Sequence, residues 1–311
     1  MIICASRRTD IPAFHAEWLM NRLRAGYVLV RNPVCRNLVY QVDLTRCNVD
    51  CLVLISKDPR PLLPYLTEIA RMGYMTIFQI TITPYGRDLE PSVPFKADVA
   101  DAFKDISDRV GVDRMIWRYD PIILNDYLDV AYHRRKFDML CRELEGYTHR
   151  CTFSFVDMYG KLGQYGNRLR AVTNAEMDAM GAMMVPIATA HGMRLSYCCA
   201  HHDLSRFGIE PRGCIDRQQM EVLGIPYQEL DKPLRDGCRC VKNIDIGAYD
   251  TCAHGCVYCY ANAADPAVRS QRVYNPAGEL LWGAVTSADQ VVVLDGRKDA
   301  RISDYFDYKQ Y

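Results

Sequence analysis

The sequence predicts an α/β protein on a parallel sheet, of a partial (β/α) barrel, TIM-like form. Three observations predict it. Short runs rich in Ile, Val, Phe and Thr alternate with amphipathic stretches along the first two thirds of the 311 residues. Those runs are too uniformly apolar for a half-exposed antiparallel sheet, and repeated strand–helix units imply parallel strands joined by right-handed crossovers. Nearly every run also ends in a polar cluster. A barrel gathers the carboxyl ends of many strands on one face, whereas a doubly wound open sheet focuses only one or two at its switch point.

The elements follow in order. A strand over 2–5 leads into Ser6-Arg7-Arg8-Thr9-Asp10. The helix after Asp10 has Pro12 in its first turn, apolar Phe14, Trp18, Leu19 and Leu23, and Gly26 past its end. Residues 27–30 and 38–42 read as an inserted hairpin around Asn32-Pro33, with no function attached. Strands over 51–56 and 75–82 run into Ser56-Lys57-Asp58 and the stretch from Thr81 to Tyr85. A helix from Phe95 carries Val99, Phe103, Ile106 and Val110 on one stripe, with Gly111 after it. Strands over 114–118 and 151–156 end at Arg118-Tyr119-Asp120 and at Asp157 to Tyr159. Thr173 and Glu176 have capping-box spacing ahead of a helix that Pro186 is expected to kink or split. A strand over 194–198 precedes His201-His202-Asp203, and a last one over 241–246 precedes a cysteine-rich loop, with a helix expected from Tyr260 to Arg272. Residues 1–235 are thus read as the partial barrel. Residues 236–311 are read as a cluster-binding segment packed on it in one structural unit.

Composition narrows the function. With 49% hydrophobic and 24% charged residues the chain can bury a sizeable core, which excludes wholesale disorder. Lys plus Arg and Asp plus Glu number 38 each, so no net field draws the chain to nucleic acid or to an anionic membrane. The N-terminal apolar run is too short for a signal-peptide core, and no stretch approaches the roughly 20 apolar residues of a spanning helix. A cytoplasmic protein is expected. Neither Gly-x-Gly-x-x-Gly nor Gly-x4-Gly-Lys-Ser/Thr occurs, which argues against those nucleotide-binding classes.

Fourteen cysteines are many for such a chain, and a reducing compartment makes a disulfide framework a poor explanation. Cys4, Cys47, Cys51, Cys141 and Cys151 sit in or near apolar runs and read as core residues. Seven others crowd into the last third. Cys252-Ala-His-Gly-Cys256-Val-Tyr-Cys259 places three thiolates on one short loop, a donor set for zinc or an iron–sulfur cluster. Structural zinc takes four ligands, whereas a [4Fe–4S] cube held by three leaves one iron open. Cys199, Cys214, Cys238 and Cys240 are candidates for a second [4Fe–4S] cluster or a zinc site, although Cys238-Arg-Cys240 is spaced tightly for zinc. Cys198, as a strand neighbour, is expected to face away from Cys199.

The loop resembles the Cys-x3-Cys-x-aromatic-Cys signature of the radical S-adenosylmethionine superfamily, with Tyr258 as the aromatic. Nearly end to end, the chain resembles an uncharacterised bacterial family described as carrying such a cluster at its C-terminus. The residues behind this are Ser6-Arg7-Arg8-Thr9-Asp10-Ile11-Pro12, Trp117-Arg118-Tyr119-Asp120-Pro121, Asp245-Ile246-Gly247 and Cys259-Tyr260-Ala261. The superfamily resemblance implies a [4Fe–4S] cluster whose open iron binds S-adenosylmethionine, with Tyr258 and Asp245 on the cofactor side. It implies reductive cleavage to a 5′-deoxyadenosyl radical, a reductant such as a flavodoxin or ferredoxin, and an unknown small-molecule or peptide substrate. Superfamily members carry the motif after the first strand. Its position here is that of a first strand–loop–helix unit moved to the C-terminus, a cheap permutation where chain ends lie close.

Other strand-end residues are catalytic candidates. Arg7, Arg8 and Arg118 suit a clamp on carboxylate or phosphate, and Asp10 and Asp120 suit orienting them or handling protons. Lys57 joins them, against the alternative of a solvated lysine beside Asp58. Tyr85 and Tyr159 are pocket-lining or packing residues, and His254 is expected behind the ligands rather than among them. The same residues fit two rival functions. One is a non-catalytic iron–sulfur protein for electron transfer or redox sensing. The other is a metal-dependent hydrolase built on His201, His202, Asp203, His15 and Asp10 or Asp120, with a structural cysteine cluster.

Overall fold

The structure is a computed structural model that describes residues 1–5, 7–199, 202–262 and 274–294. Its elements in chain order begin with β1 (Ile2–Cys4), α1 (Ile11–Phe14), α2 (Ala16–Ala25), β2 (Tyr27–Arg31), β3 (Leu38–Asp43) and β4 (Cys51–Ser56). Next come α3 (Leu66–Arg71), β5 (Thr76–Thr81), α4 (Lys96–Val110), β6 (Met115–Ile122), α5 (Val130–Leu144) and β7 (Arg150–Phe155). The last are α6 (Asn174–Ala190), β8 (Arg194–Tyr197), β9 (Glu210–Pro211), α7 (Arg217–Val222), β10 (Ile244–Asp245) and β11 (Gln290–Leu294).

Among the described residues, eight strands form one all-parallel sheet in the order β10-β1-β4-β5-β6-β7-β8-β9. The order steps from neighbour to neighbour without the reversal of a doubly wound sheet. The sheet is open, with no pairing between β9 and β10. Its first strand in space is the last of its strands in sequence: β10 pairs with β1, Ile3 opposite Ile244 and Cys4 opposite Asp245.

The two faces differ because side chains alternate along each strand. One face carries Leu52, Leu54, Phe78, Trp117 and Phe153, buried against the helices in the main core. Trp117 stacks on Phe137 of α5 at 5.1 Å, and its indole donates to the Ile82 carbonyl at 3.0 Å. The other face begins apolar, with Ile2, Cys4, Cys51, Val53, Ile77 and Ile116 packed against Ile215, Met220, Ile225 and Val241 around α7. Toward the carboxyl ends the same face turns polar: Gln79 and Thr81, Arg118 and Asp120, Thr152 and Ser154, and Ser196. Apolar filling at one end and polar residues at the other create a cavity with a floor.

Several elements depart from expectation. The helix α6 runs unbroken through Pro186 to Ala190, although proline removes the amide that would bond to Ala182. Its N-terminus carries the full Thr173–Glu176 capping box. Cys47 is exposed in the turn after β3, not in the core, because the chain there turns away from the sheet. Cys4, Cys51, Cys141 and Cys151 are buried. The 27–43 hairpin leaves the main sheet and pairs with β11 in a three-stranded sheet. Trp18 donates to the carbonyls of Gly278 and Leu280, so the hairpin and α2 dock the chain that follows the cysteine loop. Among the described residues, no helix is long and apolar enough to cross a membrane.

Candidate functional site

Asp10 organises the carboxyl end of the first strands. Its side chain caps α1 by accepting from the Ala13 amide at 3.0 Å, the role a short carboxylate fills at a helix start. The same carboxylate accepts from the Ser56 hydroxyl at 2.7 Å and the Lys57 amide at 2.7 Å, both at the end of β4. His254 of the cysteine loop lies 2.9 Å away through Nε2. All four acceptor positions are used, so Asp10 ties loop, helix and sheet together and has no lone pair left for substrate. His254 Nδ1 faces the Ser92 carbonyl at 3.4 Å, so both ring nitrogens meet protein acceptors.

A second buried carboxylate, Glu90, had no signal in the sequence. It is 1% exposed and accepts from Lys57 Nζ at 2.8 Å, Thr83 Oγ1 at 2.7 Å, Lys96 and the Tyr258 hydroxyl. Burial alone would raise its pKa, but the two ammonium groups bring it down to about 2. Lys57 therefore faces Glu90 rather than water, while Asp58 pairs with Arg60. The loop carrying Glu90 also holds the cysteine loop by its backbone: Val257 donates to the Leu89 carbonyl at 2.9 Å, and Ser92 donates to the His254 carbonyl at 3.1 Å. Lys161 secures the far end through the carbonyls of Tyr260 and Asn262.

Arg7 and Arg8 converge on Asp245. Arg7 Nε lies 3.3 Å from one carboxylate oxygen and Arg8 Nε 3.4 Å from the other, while Arg8 also donates to the Asp245 carbonyl at 2.7 Å. Gly247 donates its amide to the same carboxylate at 2.7 Å. These contacts fasten β10 to β1, so both arginines and Asp245 hold the strand that launches the cysteine loop. Arg118 pairs with Asp120 and donates to Gln79 Oε1 at 3.0 Å; Ser154 donates to Asp120.

These residues surround a cavity of about 250 Å³ at the carboxyl end of the sheet. Cys252, Cys256 and Cys259 lie on its wall, and so do Arg7, Arg8, Asp10, Lys57, Arg118 and Asp120. Tyr159 and Tyr258 line it too; Tyr85 instead packs with its hydroxyl between Pro121 and Ile123. Burial pushes the Cys256 thiol up to about 12 against the pull of Lys57, and pushes Cys252 well above the usual range.

The second cysteine group also reaches this cavity, and Cys198 belongs to it. Cys198 Sγ is 3.5 Å from Cys199 Sγ and 3.4 Å from Cys214 Sγ. The expectation that Cys198 faces away fails because β8 ends at Tyr197 and Cys199 has φ 53°, which breaks strand alternation. Cys214, Cys238 and Cys240 line the same cavity beside them. Gly213 makes this possible, since a Cβ there would lie 2.5 Å from the Arg239 carbonyl oxygen. Arg118 stands beside Cys214, and Arg235, held by Asp157 at 2.9 Å and Tyr159 at 3.0 Å, stands beside Cys199.

The histidine–aspartate set does not assemble among the described residues. His202 pairs with Asp178 at 2.8 Å, Asp203 caps Ser205, and His15 meets the Thr251 carbonyl at 3.3 Å. His201, the 260–272 helix beyond Asn262 and the C-terminal end lie outside the described residues. Among the described residues, no group of three or more His, Cys, Asp or Glu is arranged around a single metal ion. A cube makes a different demand, because each thiolate binds its own iron and the sulfurs stand apart. Cys252, Cys256 and Cys259 share one cavity wall with His254 and Tyr258, and three thiolates on one loop are a donor set that could hold such a cube.

No curated protein and no solved structure matches the chain. A family model matches residues 2–261, a span that contains both cysteine groups and every residue of the cavity wall named above. The chain therefore belongs to the family described as domain of unknown function DUF1848.

Proposed function

We propose that this chain is a radical S-adenosylmethionine-type iron–sulfur enzyme, on a partial (β/α) barrel whose first strand–loop–helix unit has moved to the C-terminus. The observation that carries the reading is the placement of Cys252, Cys256 and Cys259 on one cavity wall with the polar carboxyl ends of β4 to β7. The strand order supports it, since β10 precedes β1 in space and the cysteine loop follows β10. When bound, a reduced [4Fe–4S] cluster with one open iron supplies one-electron cleavage of S-adenosylmethionine to methionine and a 5′-deoxyadenosyl radical.

The chain's own residues do the rest. Arg7, Arg8 and Asp245 fix the strand that launches the loop, and Asp10 with His254 fixes the loop itself. The Glu90 carboxylate, neutralised by Lys57 and Lys96, positions Tyr258 between Cys256 and Cys259. Arg118 and Asp120 present charge to a small-molecule or peptide substrate inside the cavity. A cavity lined with fixed ion pairs favours an enzyme over a simple electron carrier, which needs no substrate space.

The test is anaerobic reconstitution with iron and sulfide, reduction, addition of S-adenosylmethionine, and chromatography for 5′-deoxyadenosine. Product is expected from the wild-type chain and none from Cys256→Ala. A fully loaded, reduced wild-type protein that yields no 5′-deoxyadenosine defeats the reading.

A further inference from the structure

We propose that Cys198, Cys199, Cys214, Cys238 and Cys240 form a second thiolate centre for a thiophilic metal, built independently of the three-cysteine loop. All five line the same cavity, and Cys198 Sγ lies 3.5 Å from Cys199 Sγ and 3.4 Å from Cys214 Sγ. Thiols buried merely as small apolar groups pack among aliphatic and aromatic side chains. Cys4, Cys51, Cys141 and Cys151 do so, each inside a hydrophobic cluster. Cys198 and Cys240 are just as buried, yet neither belongs to a hydrophobic cluster.

Three separate segments bring the five thiols to one cavity. Cys199 takes a left-handed backbone (φ 53°) to turn its sulfur back toward Cys198. Gly213 lets the chain before Cys214 press against the Arg239 backbone, and a Cβ on Gly237, at φ 71°, would lie 3.5 Å from the Cys199 Cα. A non-glycine residue with positive φ and two glycines at backbone crossings are more than a disordered loop would require. Arg118 and Arg235 line the same cavity, cations able to balance excess thiolate charge.

The sulfurs meet pairwise and not around one point. A zinc ion with Zn–S bonds of about 2.3 Å holds tetrahedral sulfurs about 3.8 Å apart, so the contacts of 3.4 and 3.5 Å need open by only a few tenths of an ångström. A cube spreads four thiolates farther and leaves one of the five spare. Both occupants share the same chemistry, soft thiolates for a soft metal. Because the five thiols line the cavity that the three-cysteine loop also lines, their metal would face the same substrate.

The experiment uses the full chain with Cys252, Cys256 and Cys259 all changed to Ala, purified without oxygen and supplied with ferrous iron plus sulfide or with zinc. Retention of about four irons with sulfide, or of about one zinc, supports the centre and names its occupant. Cys214→Ser with Cys238→Ser in an otherwise wild-type chain should lose that metal while keeping the loop's iron. Loss of only one metal population at a time separates failure of this centre from failure of the loop cluster. If the variants misfold, thiol alkylation of the native wild-type chain decides, with exposed Cys35 and Cys47 as internal references. Metal-dependent protection of the five supports the centre. The proposal is overturned if the loop variant holds under a tenth of an equivalent of either metal, if mass spectrometry finds four of the five paired as two disulfides, or if metal leaves their alkylation unchanged.

Discussion

Replacing Glu90 by glutamine removes one negative charge from a site where two ammonium groups depend on it. The carboxyl is 1% exposed, and its side chain meets Lys57 and Lys96, whose own side chains are 15% and 24% exposed. Solvent therefore screens the arrangement weakly. The pKa is lowered from 4.5 to about 2. At about 1.4 kcal/mol per unit, that shift corresponds to about 3 kcal/mol of stability held at neutral pH. The folded-state pKa is depressed, so this stability is present above pH 4.5 and is lost as pH falls toward 2. The neutral amide of Glu90→Gln would leave both lysines without a counter-charge, a change that costs about 3–5 kcal/mol in buried pairs. For a chain of this length, thermal unfolding should drop by roughly 6 °C at pH 7. At pH 3 the carboxylate contributes roughly 1.4 kcal/mol, so the gap between wild type and variant should shrink by about half. Calorimetry at the two pH values measures it. Equal midpoints at pH 7, or a gap that does not narrow at pH 3, would refute the reasoning.

Two further substitutions probe the framework around the cysteines. Gly213→Ala drives a methyl group into the Arg239 carbonyl 2.5 Å away, and overpacking of that kind costs about 1–3 kcal/mol. Urea unfolding should register the loss, and metal analysis should show the second centre depleted with the loop's iron unchanged. Asp10→Ala removes a helix cap worth about 1 kcal/mol and strips His254 of its partner. The iron–sulfur absorption of the reconstituted protein should then bleach faster under a chelator than in Asp10→Asn, which keeps an acceptor for the Ala13 amide.

Parts of this site are legible in the sequence. The loop Cys252 to Cys259 was visible because its donors are separated by three and then two residues, a local spacing that needs no fold to interpret. The polar ends of β4, β5, β6 and β7 were visible because apolar strands stop abruptly at charged residues. Glu90 was not, since a single glutamate between Leu89 and Pro91 resembles any surface residue. Only its partners at positions 57, 96 and 258 distinguish it, and they are up to 168 residues away. Asp10 illustrates a subtler limit. Its place at the cavity was readable, but its four hydrogen bonds turn a candidate proton carrier into a tie between elements.

The sequence by itself determined the strand–helix alternation, the parallel sheet and the compact three-cysteine loop, because all of these rest on side-chain periodicity or on neighbours within a few residues. Tertiary structure alone decided that β10 lies beside β1, that the 27–43 hairpin receives β11, and that Cys198 turns toward Cys199. The physical reason is common to the three. Strand pairing and sulfur contact are set by backbone path and packing between distant segments, and no local pattern encodes which distant partner a strand edge or a thiol will meet.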